Sequence, residues 1–184
     1  MEDRSDEALM QAYAGGDLAA FERLYARHRG PLYRYILRQV GDAGIANDLY
    51  QGSWEKIIRA RDHYTARAPF KAWMFRIAHN HVVDHFRRLR PAADLPQTDG
   101  IASDGPGPEG TLLGEETAAR LAAAVQSLPA EQREVVLLRL EGGFDLDTIA
   151  GLTGVNPETA KSRLRYAIVK LRAALGSLED GAGS

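Results

Sequence analysis

The chain has 184 residues, no cysteine, 45% hydrophobic and 26% charged side chains, and a formal net charge of −2. That length makes one medium domain or two small ones, and the composition is that of a soluble globular protein. Without cysteine there can be no disulfide framework, thiolate zinc site, iron–sulfur cluster or cysteine nucleophile. The start, MEDRSDEALMQAYAGG, lacks the basic-then-apolar order of a signal peptide, and no window approaches about 18 consecutive apolar residues. No membrane insertion is expected, and a cytoplasmic location is the simplest reading.

The small net charge conceals strong segregation. Residues 1–58 carry 7 basic and 9 acidic side chains, whereas residues 59–90 carry 8 basic and 2 acidic and hold four of the five histidines. Residues 91–116 have six acids and no base, and residues 157–175 have 5 bases and 1 acid. Two basic stretches separated by an acidic connector point to two sites on one polyanion, because clustered charge sets the local field whatever the total. Two solvated helix faces are the alternative.

In chain order the predicted elements are all helical. Gly16-Asp17 punctuates two early segments, with Asp17 as N-cap for a helix from Leu18 to Arg29. Gly30-Pro31 starts another that ends at Gly41, and Asp42 caps a fourth running to about Ala60. Residues 61–69 read as a loop, with Pro69 suited to the first turn of a helix from Phe70 to about Arg90. Residues 91–110 hold four prolines and four glycines and almost no apolar bulk, the composition of a linker. Helices follow at about 111–126 and 130–141, then at 146–152 behind Asp145, and a last one capped by Asn156-Pro157 reaches about Leu175. The predicted fold class is all-α: two small helical domains, 1–90 and 117–176, joined by an acidic linker, 91–116, and followed by a tail, 177–184. Each domain is near the lower size limit for its own core.

The segment DTIAGL, a turn at Gly154 and the capped helix after it form a helix-turn-helix pattern. Ile149, Ala150, Leu152 and Val155 are expected to pack the two helices at the turn. On the second, Ala160, Leu164, Ala167, Ile168, Leu171 and Leu175 form an apolar stripe. The opposite face presents Glu158, Thr159, Ser162, Arg165 and Tyr166, with Lys161 and Arg163 beside it to reach phosphates across a groove. A plain helical hairpin with a basic face is the alternative.

The segment LPAEQREVVLLRLEGGFDLDTIAGLTGVNPETAKSRLRYAIVKLR resembles region 4 of bacterial sigma-70-family initiation factors. The Leu-Pro start, the Gln-Arg-Glu-Val run, the Ile-Ala helix end and the Lys-Ser-Arg-Leu recognition helix stand at 128–129, 132–135, 149–150 and 161–164. Where many members have Gly-Thr-Val before that last element, this chain has Glu158-Thr159-Ala160. Residues 5–90 resemble region 2 of the same family through DEALMQAYAGGDLAAFERLYARH, Asp48-Leu49-x-Gln51 and FKAWMFRIAHNHVVDHFRR. Two such regions and a short linker resemble the extracytoplasmic-function class.

The resemblance implies a transcription initiation factor that binds core RNA polymerase, through its β′ clamp helices and β flap, and promoter DNA. Region 4 then reads the −35 element, and region 2 melts the −10 element and captures a flipped base in a pocket of the 61–69 loop and the next helix. On that helix Trp73, Arg76, Asn80 and Arg87 project to one side, and Met74, Ala78, Val82 and Leu89 to another. An aromatic, an amide and guanidiniums suit unstacked bases and phosphates, although Trp73 alone also reads as a core residue. The −10 set is Arg61, Tyr64, Lys71, Trp73, Arg76, Asn80, Asp84, Arg87 and Arg88. The polymerase-binding set is Asp48, Leu49, Gln51 and Trp54.

Compared with the family's acidic Asp-Ala-Glu-Asp-Leu-x-Gln-Glu, the run Ile45-Ala46-Asn47-Asp48-Leu49-Tyr50-Gln51-Gly52 keeps one acid. Nearby Asp42 and Glu55 are one source of compensation. Phosphorylation is another, since Ser53 and Tyr50 both stand beside the gap, with Ser53 the candidate phosphosite. The controlling partner is therefore an anti-sigma factor or a regulatory kinase. The linker acids Asp94, Asp99, Asp104 and Glu109 are expected to stand in for RNA phosphates in the polymerase channel, against a merely solubilising connector.

Other classes fare less well. His81 and His85 stand i, i+4, half of a zinc site, but lack the catalytic Glu and a third ligand. No phosphate loop, nucleophile elbow or cofactor fingerprint occurs, so no enzyme activity, cofactor or metal is expected. The alternative function is a helix-turn-helix regulator that acts without core polymerase.

Overall fold

The computed structural model describes residues 4–90 and 112–176. Asp94, Asp99, Asp104 and Glu109 lie outside them, and so do the expectations placed on them. Among the described residues the chain is all helical: α1 (Asp6–Ala14), α2 (Leu18–Val40), α3 (Ala43–Arg59), a 3₁₀ turn (Arg61–His63), α4 (Phe70–Leu89), α5 (Leu112–Gln126), α6 (Ala130–Leu140), α7 (Leu146–Thr153) and α8 (Pro157–Gly176). Helix α5 begins inside the stretch read as linker. The turn at Arg61–His63 lies within the stretch read as loop.

Local chemistry sets the helix starts. The carboxylates of Asp17, Asp42 and Asp145 accept from the N–H groups of Ala20, Ile45 and Thr148 at 3.2, 2.8 and 2.8 Å. Each satisfies an otherwise unpaired first-turn donor. Asn156 does the same for α8, accepting from Thr159 at 2.8 Å.

The expected break at Gly30-Pro31 does not occur, and α2 runs through it for 23 residues. Proline in a helix interior costs about 3 kcal/mol. Two features offset this. The residue before proline is excluded from the helical region partly by its Cβ, which Gly30 lacks. The buried residues Leu24, His28, Leu32, Tyr35, Ile36 and Gln39 also form one uninterrupted stripe across the site, so a break would uncover one end of it.

Helix α2 is the spine of the molecule, touched by α1, α3, α4, α5 and α6. Its buried stripe meets Leu9 and Met10 of α1, Ile57 of α3, and Phe70, Met74 and Phe75 of α4. The same apolar cluster continues into Leu137 and Leu138 of α6, Phe144, and Ile149 of α7. The two halves therefore share a core where two separate small ones were expected. Two apolar residues placed on inward stripes are exposed instead: Leu89 is 62% exposed, at the last residue of α4, and Ile168 is 38% exposed, at the edge of the α8 stripe.

Helix α1 is strapped to α2 by charge. Asp6 accepts from Arg27 at 2.8 Å and lies 2.6 Å from Nε2 of His28. Burial lowers the His28 pKa below its ordinary 6.5, against the opposing pull of Asp6. Burial, with Lys56 and Arg88 nearby, lowers that of His81 too. Below pH 6.5 the unfolded chain then binds protons that the folded chain resists, so stability is full above that value and falls with acidification. Thermal unfolding at pH 7.5 and 5.5 should show a lower Tm at the acid pH. The drop should shrink when His28→Gln and His81→Gln are combined.

Candidate nucleic-acid and polymerase surfaces

Helix α4 has two working sides. Trp73, Arg76, Asn80, Asp84 and Arg87 recur at three- and four-residue spacing, which puts them on one stripe at about 100° per residue. Arg76, Asn80, Arg87 and Arg88 are exposed, and Trp73 and Asp84 are half-buried. Asp84 pairs with Arg87 at 3.7 Å. At the start of the stripe the Tyr64 ring lies 5.1 Å from that of Trp73, tilted by 60°, and 6.0 Å from that of Phe70, edge-on, so the loop and the helix meet in an aromatic cluster. Trp73 is thus neither wholly core nor wholly free. The Tyr64 hydroxyl donates to the carbonyl of Ala68 at 2.9 Å, closing the loop on itself.

Lys71 departs from this set. It lies on the other side of α4, with Nζ 5.9 Å above the Phe144 ring of the second half. Arg61 is half-buried and packs its guanidinium 5.6 Å over the ring of Tyr13. Pro69 gives α4 no side-chain cap, and the missing acceptor comes from α1: Glu7 Oε1 accepts from the Phe70 N–H at 2.9 Å. Helix α1 therefore touches both ends of the loop, through Tyr13 and Glu7. The bare Pro69 start was the only sign of this in the sequence, and it does not name the residue that supplies the cap.

In the helix-turn-helix, Gly154 takes the left-handed φ of 70° that ends α7 and turns the chain into α8. Ile149, Ala150 and Leu152 are buried under the turn, with Ala160 and Ala167 from α8, and Val155 is half-buried. Glu158, Lys161, Arg165 and Tyr166 are exposed on the outer side, and Thr159 and Ser162 are half-buried beside them. The Arg165 guanidinium rests 5.3 Å over the Tyr166 ring. Arg163 is held differently from the expectation that it reaches a phosphate: it pairs with Glu131 of α6 at 3.0 Å and is turned along the protein surface.

The outward side of α3 presents Asn47, Asp48, Gln51 and Glu55. Next to it is a cleft of about 390 Å³ lined by Phe21, Tyr25, Tyr50, Gln51, Trp54, Glu55 and Ile58. Two residues of the expected polymerase-binding set are packed inward. Leu49 is buried, and so is Trp54, wedged against the rings of Phe21, Tyr25 and Tyr50. The phosphosite reading of Ser53 is corrected as well. Ser53 has no exposed surface, and its hydroxyl donates to the Leu49 carbonyl at 2.7 Å, 3.3 Å from Nδ1 of His81. A kinase has no access to it.

The glycine at 52 has a local cause. A Cβ there would meet Cε1 of His81 at 2.4 Å. Among the described residues no group of three or more His, Asp or Glu is placed to hold a metal ion, and no helix is long and apolar enough to cross a membrane.

Comparison with known proteins follows the same division. The family descriptions Sigma-70 region 2 and Sigma-70, region 4 match residues 24–91 and 118–171. The chain is 34% identical to the ECF RNA polymerase sigma factor SigL of Mycobacterium tuberculosis over 180 residues, covering 93% of this chain and 97% of that one. It is 32% identical to the RNA polymerase sigma factor CarQ of Myxococcus xanthus over 173 residues, covering 92% and 97%. The solved structure of CnrH in complex with the cytosolic domain of CnrY superposes with a TM-score of 0.70 at 25% identity, covering 95% of this chain and 99% of that chain.

The chain belongs to the sigma-70 family of RNA polymerase sigma factors, in its extracytoplasmic-function class. It is a transcription initiation factor that associates with core RNA polymerase and binds promoter DNA.

Two substitutions test the packing that positions these surfaces. Gly52→Ala should destabilise the protein by about 1–3 kcal/mol through overpacking, and the loss should largely disappear in a His81→Ala background, read from urea unfolding. Glu7→Ala should cost about 1 kcal/mol as a lost helix cap. Glu7→Gln, which keeps the acceptor oxygen, should cost less in the same measurement.

Proposed function

We propose that the outward stripe of α4, with the loop before it, takes the melted −10 strand, and that the outward side of α8 reads the −35 element. The observation that carries this reading is the run Arg76, Asn80, Arg87, Arg88 continuing from the tilted Tyr64–Trp73 ring contact at 5.1 Å. Aromatic faces hold unstacked bases, and guanidiniums track the phosphates beside them. Asn80 offers both a donor and an acceptor to a base edge. On α8, Lys161 and Arg165 flank Ser162 and Tyr166, so cations and hydrogen-bonding groups enter a groove together. Glu158 near the N-terminus of that helix shapes the sequence preference, because a carboxylate accepts from an exocyclic amine and repels phosphate. Lys71 and Arg163, engaged elsewhere, contribute through the field more than through contact.

Asp48, Gln51 and Glu55 form the acidic and polar stripe that faces the β′ clamp helices, with the aromatic cleft beside it. The second half faces the β flap. Residues 1–90 act as the polymerase and −10 module, 117–176 as the −35 module, and 91–116 as the connector between them. The protein works in the cytoplasm and by binding alone, since strand opening driven by base capture needs no hydrolysis. As CnrH forms a complex with the cytosolic domain of CnrY, and the sigma factor RpoE of Bartonella quintana one with the anti-sigma factor NepR, an anti-sigma factor is the controlling partner proposed for this chain.

The test separates the two DNA contacts. Run-off transcription with core polymerase maps the start sites, and permanganate footprinting reads strand opening. Arg165→Ala should weaken use of the −35 element with opening kept on promoters that lack one. Asn80→Ala should impair opening, with a loss of about 1–3 kcal/mol if the amide makes a bidentate base contact. Wild-type opening by Asn80→Ala removes that residue from the reading.

A further inference from the structure

Two adjacent acids at the start of α1 hold two different parts of the molecule. Asp6 fixes α1 to α2, accepting from Arg27 at 2.8 Å and lying 2.6 Å from Nε2 of His28. Glu7 reaches the other way, and its Oε1 accepts from the Phe70 N–H at 2.9 Å, where the 61–69 loop enters α4. Near the far end of α1, Tyr13 lies under the Arg61 guanidinium at 5.6 Å, where the loop leaves α3. Helix α1 thus clasps the loop at both ends while anchored on the spine of the molecule.

The loop depends on such a clasp. Residues 65–69 are exposed, and the Tyr64 hydroxyl ties across them by donating to the Ala68 carbonyl at 2.9 Å. Pro69 brings no side-chain cap to α4, and an uncapped helix start frays because its first N–H groups have no partner within the helix. Fraying at Phe70 would disturb the rings around it: Phe70 is fully buried, and its ring lies 6.0 Å from those of both Tyr64 and Trp73. The Phe70 backbone is therefore the pivot between the loop and the stripe that Arg76 and Asn80 continue. Burial, then the charges of Glu7 and Asp6, raises the pKa of Tyr64 above its ordinary 10, so both acids of α1 act on the loop and its phenol stays a donor.

A capture site built from a short exposed loop loses affinity for every degree of freedom that has to be fixed on binding. Glu7 lessens that loss in advance, because its oxygen is in place before DNA arrives. It does so without touching DNA, since Oε1 is engaged with the Phe70 N–H and a carboxylate repels phosphate.

We propose that Glu7 is a positioning residue for base capture: through the Phe70 N–H it holds the 61–69 loop and the first turn of α4 in the form that receives the extruded base of the −10 strand. The proposal rests on the reading of α4 given above. It gives α1, which supplies no residue to the −10 set, control over one step of strand opening. The acceptor oxygen is the working feature, and the charge is not.

The test uses holoenzyme assembled from core polymerase and the full chain. Fluorescence anisotropy reads its affinity for the single-stranded non-template strand of the −10 element, with one abasic site moved along the strand. In wild type, the position whose base is missed most marks the captured base. Glu7→Ala should bind the intact strand about fivefold more weakly, the worth of one helix cap. It should bind the strand abasic at the captured position as wild type does, so the penalty for removing that base shrinks by the same factor. Penalties at the other positions should not change. Glu7→Gln, which keeps an acceptor oxygen at the same reach, should restore most of the loss, whereas a residue that merely supports the fold would weaken all strands alike when removed. A captured-base penalty in Glu7→Ala as large as in wild type overturns the positioning role, as does a Gln variant as defective as Ala. A wild-type holoenzyme with no outstanding position along the strand overturns the −10 reading itself and takes the positioning role with it, which the other two failures do not.

Discussion

An unbroken α2 is the constraint on which the rest of the molecule depends. One helix of 23 residues, about 34 Å long at about 1.5 Å per residue, gives a single buried stripe to partners on several sides. Its first half receives α1 through Asp6, Arg27 and His28. Its second half offers Arg34 and Arg38 to Glu141. A break at Pro31 would rotate those two ends independently, and the strap and the seam would lose their common reference. The proline is tolerated because the apolar stripe on either side of it is worth more than the one backbone hydrogen bond it removes.

The same economy appears in α4, where helical periodicity separates two jobs. Lys71, Phe75 and His79 recur every four residues and face the second half, where they meet Phe144 and Glu134. Trp73, Arg76, Asn80 and Arg87 occupy the other side and stay open to solvent or half-open. On the proposed reading the helix takes nucleic acid on one side while packed on the other, so it is rigid where it must be. The loop before it is tied to the helix by the Tyr64–Trp73 ring contact, and Glu7 caps the helix where the loop enters it. Base capture by a loop held in this way loses less conformational entropy than capture by a free one.

What was legible in the sequence was what depends on neighbours along the chain. Asp17, Asp42, Asp145 and Asn156 announced helix starts because a cap acts within three residues. The helix-turn-helix followed from them, from Gly154 and from a regular stripe of small and branched apolar residues. What depends on distant neighbours was hidden. Nothing in the sequence near Arg34, Arg38 or Glu141 says that a carboxylate more than a hundred residues away will be buried against two guanidiniums. Leu49 and Trp54 fell in a motif associated with binding, yet an apolar residue within an amphipathic helix serves the core first. Ser53 drew attention because it stands beside the missing acids in the sequence, although it sits on the side of α3 that meets α4.

The departure of α3 from its family's acidic pattern shows how packing and charge can be confused. Read as electrostatics, the glycine at 52 is a missing acid on a docking face. Read with the structure, it is the notch that His81 fills, and no side chain of any charge fits there while the imidazole stays. The ring's Nδ1 in turn lies 3.3 Å from the Ser53 hydroxyl, so α3 and α4 are keyed together at adjacent positions. The residues left to meet a cationic partner, Asp48 and Glu55, are both exposed, and Gln51 lies between them on one stripe. Exposed pairs are individually weak, each worth at most about 1 kcal/mol. Losing one acid therefore costs little beside a firm junction between the helix proposed to meet polymerase and the helix proposed to meet DNA. On the proposed reading, in which docking at α3 is passed on to strand opening at α4, that junction is the greater need.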